Sequence, residues 1–277
     1  IGDTAMGATD VTGNFNIAIG QVAMDALTSG ANNVAIGGQN TMGQLTTGCI
    51  NIAIGERALG GSATTGNNNI AIGCYTMDAL TSGICNIAIG AGALGASTTG
   101  CRNIAIGELA MGAADTTGIN NSAIGNMAMD ALTTGICNIA IGCNSLGAST
   151  TGCLNIALGQ GAMAIGDITG INNIGIGSNV MDALTTGICN IAIGNDALGA
   201  STTGCLNVAI GSLAMGVGVA TGNMNVVIGA SAGADITTGY CNVLLGRNAG
   251  SNITTGCFNV ALGPDAYDNA TIGKKNV

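Results

Sequence analysis

This sequence contains no histidine and no tryptophan, and a single proline among 277 residues. Without histidine it lacks the commonest general base and the commonest nitrogen ligand for a metal. Its five lysines and arginines are too few to line a phosphate backbone, which argues against nucleic acid as a partner. Charged residues make up 7% of the chain, where ordinary soluble domains carry roughly 25%. No apolar run approaches the ~18 residues of a membrane-spanning helix, because glycine interrupts every one. The opening IGDTAMG has neither a basic start nor an apolar segment, so no signal peptide is visible.

In place of these residues stand 49 glycines and a 47% share of hydrophobic residues, mostly alanine and isoleucine, at a net charge of −9. A surface so poor in charge is not expected to stand fully exposed on a lone monomer. The glycines are also ordered. One preceded by Thr or Ser recurs from Gly13 through Gly30, Gly48, Gly66 and onward to Gly256, in steps of 17 or 18 residues. A second glycine follows each by seven positions, from Gly20 to Gly263. Three positions after each first glycine stands an asparagine: Asn16, Asn33, Asn51, Asn69, Asn86, Asn103, Asn121, Asn138, Asn155, Asn173, Asn190, Asn207, Asn225, Asn242 and Asn259. The consensus is T-G-x-x-N-I-A-I-G-x-x-A-(M/L), and three units of 17, 17 and 18 residues make a superperiod of 52.

In N-I-A-I-G the large aliphatics lie two apart, which is the period of a strand and not of a helix. The first is Ile or Val in fourteen of the fifteen units, with Ser122 the exception, and the residue between the aliphatics is Ala in twelve. The expected fold is all-β: a β-solenoid of 17–18-residue coils over residues 1–277, a single repeat domain. Fifteen coils stacked at ~4.8 Å would give a rod ~70 Å long. The bulky face of each strand is expected inside and the flat face of alanine, asparagine and glycine outside, where a second sheet could approach closely. A thin solenoid has little core of its own, so sharing one among chains is expected, as a homotrimer. The asparagines are expected to hydrogen-bond up their column, since an amide both donates and accepts. Asparagine also suits the left-handed backbone of a tight corner, and glycine serves corners likewise. Both ends fall inside a repeat, Ile1-Gly2 being a unit's tail and Gly273–Val277 the start of another, as in a window onto a longer chain.

N-I-A-I-G-x-x-A resembles the head repeat of trimeric autotransporter adhesins, and the longer T-T-G-x-x-N-x-A-I-G-x-x-A-L is similar to repeats of viral tail-fibre and appendage proteins. The resemblance covers nearly the whole chain. It implies a trimeric β-roll in a fibre at a cell surface or on a virion, holding a tip that binds a host or cell-surface receptor. The 17–18-residue period and the cysteines depart from the adhesin head.

Nine of the eleven cysteines follow the superperiod, and Cys49, Cys74 and Cys143 have no obvious partner. Cys49, Cys101, Cys153, Cys205 and Cys257 stand one residue after a first glycine; Cys85, Cys137, Cys189 and Cys241 stand two after. Cys85 would then sit on the coil below Cys101 and one residue out of line, at a Cα separation of ~6 Å that suits a disulfide. Cys137 with Cys153, Cys189 with Cys205 and Cys241 with Cys257 repeat the relationship, each bridge contributing ~3 kcal/mol. The competing reading is a ladder of small free thiols. Bridges would place the chain in an oxidising compartment.

No catalytic constellation is expected, nor a metal or cofactor. Asp25, Asp78, Asp130 and Asp182 recur in M-D-A-L once per three coils, ~14 Å apart and too far to share a ligand. They read as solvated corner carboxylates, and the methionine column (Met24, Met77, Met111, Met129, Met163, Met181, Met215) reads as core filling. Paired threonines before the first glycines read as turn-forming ladders. The functional expectation is therefore a structural fibre shaft or stalk, extracellular or on a virion, with a monomeric ligand-binding solenoid such as an ice binder as the alternative.

Overall fold

A computed structural model describes residues 1–7, 11–268 and 271–276. Among them the regular structure is fifteen strands of three residues each, without a helix. The chain forms two compact units, Ile1–Cys137 and Asn138–Val277. The first contains β1 (Ile17–Ile19), β2 (Val34–Ile36), β3 (Ile52–Ile54), β4 (Ile70–Ile72), β5 (Ile87–Ile89), β6 (Ile104–Ile106) and β7 (Ser122–Ile124). The second contains β8 (Ile139–Ile141), β9 (Ile156–Leu158), β10 (Ile174–Ile176), β11 (Ile191–Ile193), β12 (Val208–Ile210), β13 (Val226–Ile228), β14 (Val243–Leu245) and β15 (Val260–Leu262).

Within each unit every strand pairs in parallel with the next, without slip: Ile17 with Val34 and Ala18 with Ala35 in the first, Ile139 with Ile156 and Ala140 with Ala157 in the second. This is a parallel β-solenoid. Between strands the coil-to-coil bonding continues through the turns, as in Met77 N–H to Ala93 O at 3.0 Å and Thr81 N–H to Thr98 O at 2.9 Å. A parallel pair needs a crossover connection, and here it is the coil itself.

The strands face the opposite way from the expectation. In all fifteen only the central residue is buried, and the flanking aliphatics point outward, half-buried or exposed. Ala35, Ala53, Ala71 and Ala88 are fully buried, whereas Ile17 is 51% and Ile141 44% exposed. The reason is volume. The lumen of a short coil already holds a second alanine and a methionine or leucine from the turn, such as Ala58 with Leu59 or Ala110 with Met111. Two inward isoleucines per coil would overfill it. The methionine column is core: Met24, Met77, Met111, Met129, Met163, Met181 and Met215 are all fully buried.

The corners also differ from expectation. No asparagine of the column has a positive φ; the residue before it does, at +59° for Asn32, +58° for Ile50, +60° for Cys85 and +58° for Leu154. A left-handed residue other than glycine or asparagine costs roughly 1–2 kcal/mol, and it persists because the coil-to-coil bonds on both sides fix the chain. The two glycine columns have different reasons. The second is conformational, with Gly90 at φ +134°. The first is steric: Gly204 has no such φ, but a Cβ there would lie 2.9 Å from both Asn207 Nδ2 and Gly222 O.

The asparagine column and the outward face

Asparagine is two residues before the central alanine, so period-2 alternation sends both inward, not onto the outer surface expected for them. Every column asparagine from Asn33 to Asn259 is at most 1% exposed, and Asn16 is half-buried. A buried primary amide has two donor hydrogens and two acceptor positions to satisfy. Asn51 satisfies all of them. Its Nδ2 donates to Asn33 Oδ1 at 3.2 Å and to Gly66 O at 2.9 Å. Its Oδ1 accepts from the N–H of Asn69 at 2.9 Å and from Asn69 Nδ2 at 3.2 Å. One side chain thus ties together three coils, and the arrangement recurs at Asn173, Asn190, Asn207, Asn225 and Asn242. Asn276 extends the column, bonding Asn259 Oδ1 through its N–H at 3.2 Å and its Nδ2 at 3.0 Å. Its place three residues after Gly273 is the signal that identifies it. Among the described residues no buried side-chain nitrogen or oxygen lacks a partner.

All eleven cysteines are free thiols. The expected diagonal relationship holds in the backbone register of the pairs that lie within one unit. Cys101 is level with Ile84, Cys205 with Ile188 and Cys257 with Tyr240, each partner cysteine being the next residue. Cys85, Cys189 and Cys241 have φ of +60°, +57° and +56°, so neighbouring side chains there do not alternate as they would in a strand. Cys205 Sγ accepts the N–H of Ile188 at 3.4 Å, directly beside Cys189. The neighbouring Cys257 side chain pushes the Tyr240 hydroxyl above its ordinary pKa.

The recurring aspartates do more than face solvent. Asp78 pairs with Arg57 through 3.3 and 3.0 Å contacts. Asp130 accepts the N–H of Ala113 at 2.9 Å, and Asp182 those of Ala164 at 3.2 Å and Ile165 at 3.1 Å. These donors lie where an 18-residue coil makes room for its extra residue, so the carboxylates seal backbone groups the insertion frees. Burial pushes the Asp182 carboxyl above its ordinary pKa, against the lowering influence of those two N–H donors. The threonine pairs divide the work. The first hydroxyl donates along the stack, as Thr81 Oγ1 does to Thr98 O at 3.0 Å and Thr185 Oγ1 to Thr202 O at 3.0 Å. The second stands exposed, as at Thr47, Thr65, Thr99, Thr186 and Thr203.

The outward aliphatics form the feature that sequence reading placed in the core. Two columns, headed in the second unit by Ile139 and Ile141, run along each sheet with their side chains one above another. The corner beside them is also apolar, with Ile50 56%, Leu154 50% and Leu206 54% exposed. No protein-family model matches this chain, and no curated protein matches it.

Proposed function

We propose that this chain is a shaft segment of a fibre, extracellular and borne on a cell or virion surface, in which homotrimeric solenoids hold a receptor-binding or adhesive tip at a distance. The observation that carries the reading is the coil-to-coil bonding. Each coil is tied to the next through strand, turn and the buried asparagine amides at once, so within a unit bending or stretching must break many bonds together. Such a design resists force along the stack and has its polar chemistry consumed by structure. The resemblance of N-I-A-I-G-x-x-A to adhesin head repeats supports the same reading, as does a surface too poor in charge for a lone monomer.

The test is the mass of the assembled particle by light scattering, with electron microscopy of the same sample. A particle of three times the 26.6 kDa chain mass, seen as a rod, is expected. A monomer at all concentrations overturns the trimer. The second reading, a monomeric ice binder, is favoured by the exposed threonine column with one hydroxyl per coil. It requires thermal hysteresis from the monomer.

A further inference from the structure

We infer that the outward aliphatic face of the sheets is a self-association surface whose occupant is a second copy of this chain; the inference rests on the self-assembly proposed above and names the face that carries it. Three observations converge on this face. The first is its chemistry: in β1–β15 both outward positions are Ile, Val or Leu, save Ser122. The second is the distribution of charge. Between the first and second glycine of all fifteen coils, which covers the asparagine corner and the whole strand, the only charged residue is Arg102. Every one of the fourteen acidic residues lies elsewhere. A solvated face has no reason to exclude charge from coil after coil, whereas the covered centre of a protein interface is depleted of it.

The third observation is size and pitch. Three-residue strands ~10 Å long, stacked ~4.8 Å apart, give β1–β7 a footprint of ~340 Å² and β8–β15 one of ~380 Å². Each matches the largest apolar patch of a typical monomer. The exposed side chains form rows at the strand spacing, and a partner that fills the gaps between rows over seven or eight coils must present rows at that same spacing. A helix offers rows spaced by its own turn and rise. Another parallel sheet of this repeat offers the right spacing at every rung, with Ile and Val side chains that interdigitate without a polar group to desolvate. The partner indicated by the geometry is therefore another copy.

The test uses the full chain with Ile89→Lys and Ile193→Lys together, one in each unit and both 37% exposed. A control chain carries Thr99→Lys and Thr186→Lys, the same charge on the exposed threonine column. Sedimentation velocity across a concentration series reads assembly, and circular dichroism with a melting curve reads folding. The expected result is that the isoleucine variant stays folded with a dissociation constant raised roughly 100-fold or more, while the control assembles as the parent does. A parent that assembles together with an equally assembled isoleucine variant overturns this face and leaves the fibre reading standing. A monomeric parent overturns both. Should the lysine variant not fold, Ile89→Thr with Ile193→Thr keeps the β-branched shape; unchanged assembly of that folded chain also overturns the proposal.

Discussion

Leu244 and Gly250 exchange volume across one coil of the solenoid. Leu244 stands at the centre of β14, where most strands have alanine, and Gly250 stands in the turn, where most coils have methionine or leucine. A Cβ on Gly250 would lie 2.9 Å from Leu244 Cδ2. In the neighbouring coil Val227 stands at the centre of β13, and a Cβ on Gly233 would lie 2.8 Å from Ile236 Cδ1 and 3.0 Å from Leu244 Cδ1. β10 makes the reverse trade: Gly175 is at its centre, and its added Cβ would meet Val180, which replaces the usual turn alanine, at 3.1 Å. Core volume is conserved coil by coil even where its source moves.

Leu244→Ala should therefore cost about 2–5 kcal/mol by opening a cavity, and Gly250→Met about 1–3 kcal/mol by overpacking. The double variant should recover part of both losses, because methionine takes the left-handed backbone at the equivalent Met42, φ +52°, while Ile253 Cδ1, 2.7 Å from the same Cβ, remains. Denaturant unfolding of the four chains measures the coupling. Simple addition of the two losses would refute the exchange.

Asn190 lies mid-column, and its replacement leaves Gly204 O and the N–H of Asn207 without their partner, while Asn173 Oδ1 loses one of its two donors and keeps the backbone N–H of residue 190. Each buried group left unpaired costs about 1–3 kcal/mol. Asn190→Asp should be worse than Asn190→Ala at neutral pH, since a buried carboxylate has no donor for Asn173 or Gly204. Acidification should partly rescue the aspartate variant alone, as protonation restores one donor. Melting temperatures of both variants at pH 4 and pH 7 test this, and the same pH response in both would sink it.

Asp182 has its carboxyl pKa raised in the fold by burial. The folded state therefore holds that proton more tightly than the unfolded state does. This contribution to stability is present at low pH and is lost as pH rises from the unfolded value through the raised folded one. Asp182→Asn keeps an acceptor for Ala164 and Ile165 without the buried charge. Its melting temperature at pH 7 should equal or exceed the parent's, and the difference should shrink on acidification. A variant less stable than the parent at pH 7 would show that the charge itself is needed there.

Oxidation should close Cys85–Cys101, Cys189–Cys205 and Cys241–Cys257 within single chains. Glutathione disulfide is the oxidant: each new S–S bond takes the hydrogens of two thiols, and one glutathione disulfide becomes two glutathiones. Peptide mapping without reduction should find these links, and the melting temperature should rise by the equivalent of ~3 kcal/mol per loop. Links joining Cys189 of different chains would contradict the diagonal geometry.

The repeat alone determined the coil length, the strand positions and the stacked amide column, because identical residues at a fixed spacing line up when the coils stack; that the amides are buried came from the structure. Even Asn276 could be placed by counting from Gly273. The phase of the strands is also written in the sequence, although side-chain bulk points the other way. Alternation says that Ile17 and Ile19 share a face, and bulk suggested that this face is inside. Asn33 and Ala35 are two apart as well, so a buried asparagine already requires a buried alanine and an outward isoleucine. The size of the lumen, by contrast, is set only when the coil closes on its own turn. A short coil whose turn already inserts methionine or leucine has no room for isoleucine, and that volume limit turned the strands inside out and left an uncharged aliphatic face on the outside.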